Sequence, residues 1–153
     1  MPGFLEISKI NIENTEGFVF ASYHRFDEDL KPKYKDFVVP EKVNYSDILK
    51  SNSISCLTAF INIEKLGKLY MPEILYRQDM GLWLKYLKTI NYAVGIQQPL
   101  AIYRIRQKSH SRNKLKLVKH QWDFYRQVAQ LSILSSGYYF ICWIFYGVRK
   151  YYF

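Results

Sequence analysis

An amphipathic segment near residue 80 restricts the fold of this chain more than any other part of it. Apolar side chains recur there with the spacing of a helix that buries one face, at Met80, Trp83, Leu84 and Leu87. Asp79 lies at the start of this pattern, where the free N–H groups of a first helical turn stabilise an ionised carboxylate. The pattern predicts a buried helix and leaves two roles open for Asp79: an ordinary N-cap, or a general base beside an aromatic wall.

The rest of the chain alternates apolar runs with polar turns, which predicts an α/β fold of ordinary domain size. With 49% hydrophobic and 18% aromatic residues, the chain is too apolar for intrinsic disorder. We expect helices at 4–16 and 46–50, the second capped by Ser46, strands at 18–23, 55–63, 91–95 and 99–106, and a short extended piece at 38–40.

The net charge of +9 is unevenly distributed. Twelve basic and twelve acidic residues balance one another up to Tyr103, whereas ten basic residues and one acid, Asp123, follow. Segregated positive charge indicates an anionic partner: a phosphate ligand, an anionic membrane surface or nucleic acid. We do not expect a nucleic-acid partner, because the cations cluster beside an uncharged apolar run instead of interleaving with exposed aromatic residues.

The C-terminal part, residues 115–153, has the pattern of basic amphipathic and aromatic-rich helices. A charge-free run extends from Gln127 to Val148 and would be about 33 Å long as a helix. Polar residues weaken it as a membrane span, so we expect a helix lying in the membrane interface, with docking on the protein core as the alternative. The preceding helix should bury one stripe of residues, formed by Leu115, Val118, Trp122, Tyr125 and Ala129.

Two further features concern the loop at 107–114 and the cysteines. The loop carries hydroxyl, imidazole and cationic side chains, which suit contact with a diphosphate, although a solvated basic connection is the alternative. Cys56 and Cys142 lack any metal-ligand spacing and lie in apolar runs, so we expect buried free thiols. The first residues have no secretory signal pattern, which favours a reducing cytoplasm.

Several separate stretches, in this order, resemble one family. They are Phe18-Val19-Phe20-Ala21-Ser22-Tyr23, Val43 through Lys50, Arg77 through Leu84, and Pro99-Leu100-Ala101-Ile102-Tyr103-Arg104. Together they resemble the second half of family 2 glycosyltransferases of the teichuronic acid, lipopolysaccharide and capsule type. The resemblance implies a partial GT-A fold, a Rossmann-like nucleotide-diphospho-sugar transferase fold, with its acceptor-side half at 1–114 and C-terminal amphipathic and apolar helices after it.

The resemblance also implies roles for individual residues. Asp79 would be the catalytic base, as the second residue of a Gln-Asp pair ahead of the tryptophan helix. His110 is a weak candidate for a metal ligand, since it does not occupy the family's histidine position. Substrate contacts are expected from Gln78, Trp83, Thr58, Arg104, Arg106, Ser109, Ser111 and Arg112. For Trp83, its place on the apolar stripe favours packing of the helix over stacking on a sugar.

The resemblance further implies a nucleotide-sugar donor, a glycan or lipid-linked acceptor, and a divalent metal, Mn²⁺ or Mg²⁺, in the full enzyme. We expect no metal on this chain alone, because the donor-binding half has no counterpart in it. Asp27-Glu28-Asp29 has the family's Asp-x-Asp spelling but is predicted to be a polar turn. The expected protein is a glycosyltransferase fragment, inactive alone, on the inner face of the plasma membrane; the alternative is a non-catalytic membrane-surface protein derived from such an enzyme.

Overall fold

The computed structural model of the protein describes residues 1–105 and 114–152 as a mixed α/β fold. The α/β class predicted from the sequence is confirmed, and the curled sheet is consistent with part of a Rossmann-like fold. The elements in chain order are α1 (Phe4–Glu13), β1 (Phe18–Phe26), β2 (Pro32–Phe37), β3 (Lys42–Val43), α2 (Tyr45–Lys50), β4 (Phe60–Ile61), α3 (Ile63–Leu66), α4 (Gln78–Tyr86), β5 (Ala93–Arg104), α5 (Lys114–Asp123), a π-helical turn (Phe124–Val128) and α6 (Ile133–Tyr152).

Strand β1 lies at the centre of the sheet. The strands follow the order β2-β1-β5-β3, and β4 also pairs with β1. Strand β5 runs parallel to β1 along most of its length, whereas β2 and β4 are antiparallel to it. Since β5 occupies one edge of β1, the other edge is shared by β4 beside Phe18 and Val19 and by β2 beside Tyr23 to Phe26.

The predicted strands 91–95 and 99–106 form one continuous strand, β5. Its pairing with β1 is irregular in the middle, where Ala21 lies opposite Ile96 but Ser22 lies opposite Pro99. Ser22 stabilises this bulge, because its buried hydroxyl donates to the Ile96 carbonyl (3.3 Å) and accepts the Val39 N–H (3.1 Å). The polar and proline residues at 97–99, which suggested a break in the sequence, therefore form a bulge within the strand.

Helices cover both faces of the sheet. Because successive side chains of a strand point to opposite faces, Phe18 and Phe20 enter one apolar cluster while Val19 and Ala21 enter another. The first cluster is the larger one and contains the buried faces of α2, α4 and the π-helical turn. The second is covered by α1, whose Ile12 is buried there. Burial of β1 on both faces is what its uninterrupted apolar sequence predicts.

The prediction of a strand at 55–63 is wrong apart from its last part. Residues 56–58 form turns, and only Phe60 and Ile61 pair with β1. Asn62 then caps α3 by accepting the Lys65 N–H. The apolar residues suggested a strand. Instead, the N–H groups of Thr58 and Ala59 donate to the Ser55 carbonyl and form a turn.

The cap of α2 also differs from the prediction. Asn44, not Ser46, is the N-cap, and its side chain accepts the Asp47 N–H while the Asp47 carboxylate accepts the Asn44 N–H. Ser46 lies within the helix, and its hydroxyl is 3.2 Å from the Tyr139 hydroxyl of α6. The predicted helix is therefore present with a different start, and Ser46 links it to the C-terminal helix.

The stripe predicted for α5 is confirmed in part: Trp122 is half-buried, and the side chain of Leu115 lies outside the described residues. Tyr125 and Ala129 are buried, but Val118 is 39% exposed, and Gln121 and Phe124 are buried instead. The π-helical turn at Phe124–Val128 begins after Val118 and Gln121, so the buried face of α5 already differs from the predicted stripe before that turn.

Tyr125 makes a buried hydrogen bond whose contribution to stability can be measured. Its side chain is fully buried, its hydroxyl donates to the Leu49 carbonyl at 2.6 Å, and burial raises its pKa to about 12. We expect Tyr125→Phe to lower the free energy of unfolding by about 1–2 kcal/mol near neutral pH, because the Leu49 carbonyl loses its donor. Denaturant unfolding of both proteins measures this difference.

The same pair of proteins should respond differently to alkali. An unfolded tyrosine ionises near its ordinary pKa of 10.0, whereas folded Tyr125 keeps its proton up to about 12. Its contribution to stability is therefore complete below pH 10 and is lost as the pH rises towards 12. The gap between the parent and Tyr125→Phe should narrow over this interval; a gap that stays constant would contradict the burial of an un-ionised phenol.

Candidate functional site

Asp79 is the second residue of α4, and Arg77 is the N-cap. Arg77 has a left-handed backbone conformation (φ 64°, ψ 26°) and makes no side-chain cap hydrogen bond. Asp79 is therefore not the N-cap, which removes the alternative that the sequence left open for its position. Its half-buried carboxylate lies in the first helical turn, where the unpaired N–H groups and the helix dipole stabilise negative charge.

The Arg77 guanidinium and the Cys56 thiol lie within electrostatic range of the Asp79 carboxylate. Burial lowers the pKa of Arg77, and the negative charge of Asp79 partly restores it. Burial also raises the pKa of the Cys56 thiol, and the Asp79 carboxylate raises it further by disfavouring a second negative charge. The Cys56 thiol and the Asp79 carboxylate therefore interact electrostatically, although 23 residues separate them in the sequence.

The prediction that both cysteines are buried is wrong for Cys56. Its residue surface is exposed, and Cys142 is half-buried. Thr58, predicted to contact the substrate, is 1% exposed, and its hydroxyl donates to the Ala21 carbonyl at 2.8 Å. The hydroxyl of Thr58 thus holds the turn at 55–58 against β1 and is not free for an acceptor, whereas the neighbouring Cys56 faces solvent near Asp79.

The buried side chain of Trp83 holds α4 against the sheet. It is 3% exposed, and its ring packs against Phe18 of β1 with 5.4 Å between centroids. This burial agrees with packing of the helix, the role that the apolar stripe favoured over stacking on a sugar. Gly81 brings a second segment onto α4, because a Cβ at this position would come within 2.5 Å of the Pro72 ring.

The remaining predicted contact residues are distributed as follows. Gln78 is exposed next to Asp79, and its side-chain amide donates to the Ile74 carbonyl. Arg104 is exposed at the end of β5, opposite Phe26, and therefore at the other end of β1 from the Phe18–Trp83 contact. Outside the described residues lie Arg106, Ser109, His110, Ser111 and Arg112, for which the substrate and metal roles stay predictions.

The acidic triplet at 27–29 forms a turn, as predicted. The Asp27 carboxylate accepts the N–H groups of Asp29 (3.0 Å) and Lys31 (2.9 Å), which closes the connection between β1 and β2. Over residues 1–105 and 114–152, no group of three or more histidine, cysteine, aspartate or glutamate side chains could hold a metal ion.

A cavity of about 440 Å³ lies on the α1 side of the molecule. Its lining is largely apolar, from Phe4, Leu5, Leu57 and Leu100, and Glu6 is the charged residue in it. The residues that line it include no lysine, arginine or histidine side chain for the phosphates of a nucleoside diphosphate. The candidate functional site is therefore the group formed by Asp79, Arg77 and Cys56, and not this cavity.

Comparison with known proteins relates the chain to glycosyltransferases. The chain is 35% identical over 139 residues to a protein described as the teichuronic acid biosynthesis glycosyltransferase TuaG of Bacillus subtilis. It is 30% identical over 140 residues to WfgD of Escherichia coli, named as a UDP-Glc:alpha-D-GlcNAc-diphosphoundecaprenol beta-1,3-glucosyltransferase. Each match covers 91% of the chain. The resemblance to glycosyltransferases is confirmed.

These matches cover only part of each relative. The chain spans about half the length of the curated relatives it matches, 55% of TuaG and 54% of WfgD. An uncharacterised glycosyltransferase of Haemophilus influenzae is 28% identical over 112 residues, which cover 72% of the chain and 44% of that protein. No family model and no solved structure matches the chain.

Arg77 and Cys56 are the residues of the site that sequence reasoning missed. The left-handed conformation of Arg77 has no sequence signal, because non-glycine residues adopt it rarely. The proximity of Cys56 to Asp79 depends on the turn at 56–58, which the sequence suggested to be a strand. A shorter expected strand, beginning after Thr58, would have left Cys56 in a turn and exposed it as a candidate.

Proposed function

We propose that this chain forms the acceptor-side half of an inverting family 2 glycosyltransferase with the GT-A fold, and that Asp79 is its catalytic base. The observation that carries the proposal is the position of Asp79: a half-buried carboxylate in the first turn of α4, beside an exposed turn at Cys56. The homology to TuaG and WfgD supplies the reaction class. The polysaccharide would be a bacterial cell-surface glycan.

The proposed chemistry is a single displacement. The acceptor hydroxyl oxygen forms a bond to the anomeric carbon, while the bond from that carbon to the diphosphate oxygen breaks and its electron pair leaves with the nucleoside diphosphate. Asp79 accepts the proton of the attacking hydroxyl. The acceptor would lie between α4 and the Cys56 turn, with the exposed Gln78 amide beside it.

Arg77 would assist without contacting the reacting atoms. Its positive charge acts on the Asp79 carboxylate, and its guanidinium lies 5.7 Å from the centre of the Trp143 ring of α6. This contact restrains the left-handed residue that starts α4. We therefore assign Arg77 a positioning role for the base.

The donor would bind to a half of the enzyme that corresponds to the remaining length of the relatives. Among the described residues there is no group of three or more histidine, cysteine, aspartate or glutamate side chains that could hold Mn²⁺ or Mg²⁺. Any such ion in the full enzyme would be held by the donor-binding half. Arg104, with Arg106 and Arg112 of the basic loop, is proposed to contact the diphosphate.

The proposed acceptor is lipid-linked. The name of WfgD specifies a sugar carried on diphosphoundecaprenol as the acceptor of that protein. By analogy with it, we propose a glycan on a lipid diphosphate for this chain as well. The second candidate function, a non-catalytic membrane-surface protein derived from such an enzyme, rests on the exposed apolar face of α6.

The test of the proposed function is Asp79→Asn in a protein that carries both halves, with the donor-binding half of the Bacillus relative joined ahead of α1. We expect turnover to fall at least about a hundredfold, the scale of lost general-base catalysis. Donor affinity should change little, because Asp79 acts on the acceptor. Turnover and donor titration are measured on the same preparations.

The matched control is Glu73→Gln, which removes another carboxylate close to Asp79 in the sequence but exposed to solvent. It should keep turnover within about threefold of the parent, since surface substitutions away from a site have small effects. Equal turnover in Asp79→Asn and in the control would show that Asp79 is not the base. A parent protein without transfer to any glycan acceptor would favour the non-catalytic candidate.

A further inference from the structure

Helix α6 exposes a continuous stripe of apolar residues. Its members recur every three or four positions, so they lie on one face of the helix over about 21 Å. The exposed fractions are high, with 87% for Leu134, 69% for Ile141 and 64% for Phe145. We define the α6 stripe as Leu134, Tyr138, Ile141, Phe145 and Val148. Such a contiguous apolar face is typical of a binding surface and not of an ordinary protein exterior.

The opposite face of α6 is firmly attached to the protein. Ser136 is fully buried, and the Tyr139 hydroxyl lies 3.2 Å from the Ser46 hydroxyl of α2. Phe140 packs edge-on against Trp122, with 5.7 Å between ring centroids. One face of α6 is therefore docked on the protein, and the α6 stripe on the other face is exposed.

The charges around the α6 stripe have one sign. The sequence contains no aspartate or glutamate after Asp123, and α6 has none. Arg149 is exposed and directly follows Val148 at one end of the stripe, while the Lys50 ammonium lies within electrostatic range of Tyr138 towards the other end. Lys50 also lies 3.8 Å from Asp47, so its charge is partly balanced within the protein.

We propose that the α6 stripe docks on an anionic phospholipid surface, with α6 lying in the plane of the membrane. Apolar side chains would enter the boundary between headgroups and acyl chains, and the flanking cations would contact lipid phosphates. The phenol of Tyr138 suits the same boundary, since it joins an apolar ring to a polar group. Across the described residues, no helix combines the length and apolarity that spanning a bilayer requires.

A second copy of the chain is a less suitable occupant of the stripe. Stripe-to-stripe pairing would bring Arg149 and the other cations of both copies together, and α6 offers no acid to balance them. An anionic lipid surface satisfies both the apolar residues and the cations. Charge complementarity therefore selects the membrane.

Docking in this orientation would also place the candidate site close to the membrane. Trp143, on the attached face of α6, contacts Arg77, which is the N-cap of α4 and precedes Asp79 by two residues. A membrane bound by the stripe would thus lie one helix diameter, about 10 Å, from the start of α4. Membrane binding does not depend on the transfer reaction, so Asp79→Asn should leave it unchanged.

The test is flotation of the chain with lipid vesicles in a density gradient, in which aggregated protein sinks and is not counted. Vesicles of phosphatidylcholine alone are compared with vesicles that contain phosphatidylcholine and phosphatidylglycerol in equal parts. The stripe variant is Ile141→Glu/Phe145→Glu. The matched control is Leu5→Glu/Ile10→Glu on α1, which changes two apolar residues of similar exposure (67% and 60%) and adds the same charge.

We expect the parent to float with anionic vesicles and much less with neutral ones. The stripe variant should lose at least about tenfold in partitioning, whereas the α1 variant should stay within about twofold, because only the first places carboxylates in the interface. Equal partitioning of the two variants would overturn the proposal. So would a lipid-free dimer, seen by analytical ultracentrifugation, that dissociates in the stripe variant while neither protein binds vesicles.

Discussion

Trp83→Ala should lower the free energy of unfolding by about 3–5 kcal/mol, the range measured when a large buried aromatic side chain is removed from a core. The side chain is 3% exposed and lies between α4 and β1, in contact with Phe18 at 5.4 Å and close to the other rings of the main core. The helix that loses this contact, α4, also carries Asp79. Denaturant unfolding of the parent and the variant measures the loss.

Two controls separate burial from aromatic chemistry in this experiment. Trp83→Phe should cost about 1 kcal/mol, since the ring is kept and the Trp83 Nε1 has no hydrogen-bond partner within the described part of the chain. Tyr70→Ala, at an aromatic residue that is 69% exposed, should change stability by less than about 0.5 kcal/mol. If Trp83→Ala left stability near the parent value and raised only the acceptor KM, Trp83 would be a sugar-stacking residue.

Gly95→Ala should destabilise the protein by about 3 kcal/mol or more, at the upper end of the range for overpacked sites. A Cβ on Gly95 would lie 2.0 Å from the Pro40 carbonyl oxygen and 3.0 Å from a methyl carbon of Val39. The first of these atoms is backbone, so relief requires β5 to separate from the segment at 39–41. That movement would break the hydrogen bond from the Gly95 N–H to the Glu41 carbonyl, which is 2.8 Å long.

The matched control for this substitution is Gly147→Ala in α6. A Cβ on Gly147 would meet no atom within 4 Å. Because alanine is the better helix former, this variant should be unchanged or more stable by up to about 1 kcal/mol. Similar thermal stability of the two variants would contradict the close packing of β5 against residues 39–41.

Much of the fold that presents the site could be predicted from the sequence, because the signals are local. The helix at 78–86 follows from the spacing of Met80, Trp83 and Leu84, and all three are buried. Strand β1 follows from an apolar run that is buried on both faces of the sheet. The turn at Asp27 follows from its side chain, which accepts backbone N–H groups two and four residues ahead.

The features that the sequence did not predict depend on contacts between distant residues. The bulge in β5 is held by Ser22 and Val39, far from it in the sequence. The turn at 56–58 is fastened to β1 through Thr58, and no pattern within residues 55–63 indicates this contact. Gln121 is buried in place of the apolar Val118, and the apolar spacing of α5 does not indicate this exchange.

The most direct test of Asp79 as the base replaces the acceptor hydroxyl with a thiol in the protein that carries both halves. A thiol has a pKa near 8.5, so at about pH 9 much of it is already the thiolate and needs no base. With the hydroxyl acceptor, Asp79→Asn should transfer sugar at least about a hundredfold more slowly than the parent, a difference of about 2.7 kcal/mol in activation free energy. With the thiol acceptor, the two proteins should agree within about threefold. A hundredfold gap that persists with the thiol would show that Asp79 holds the structure or the acceptor and does not take the proton.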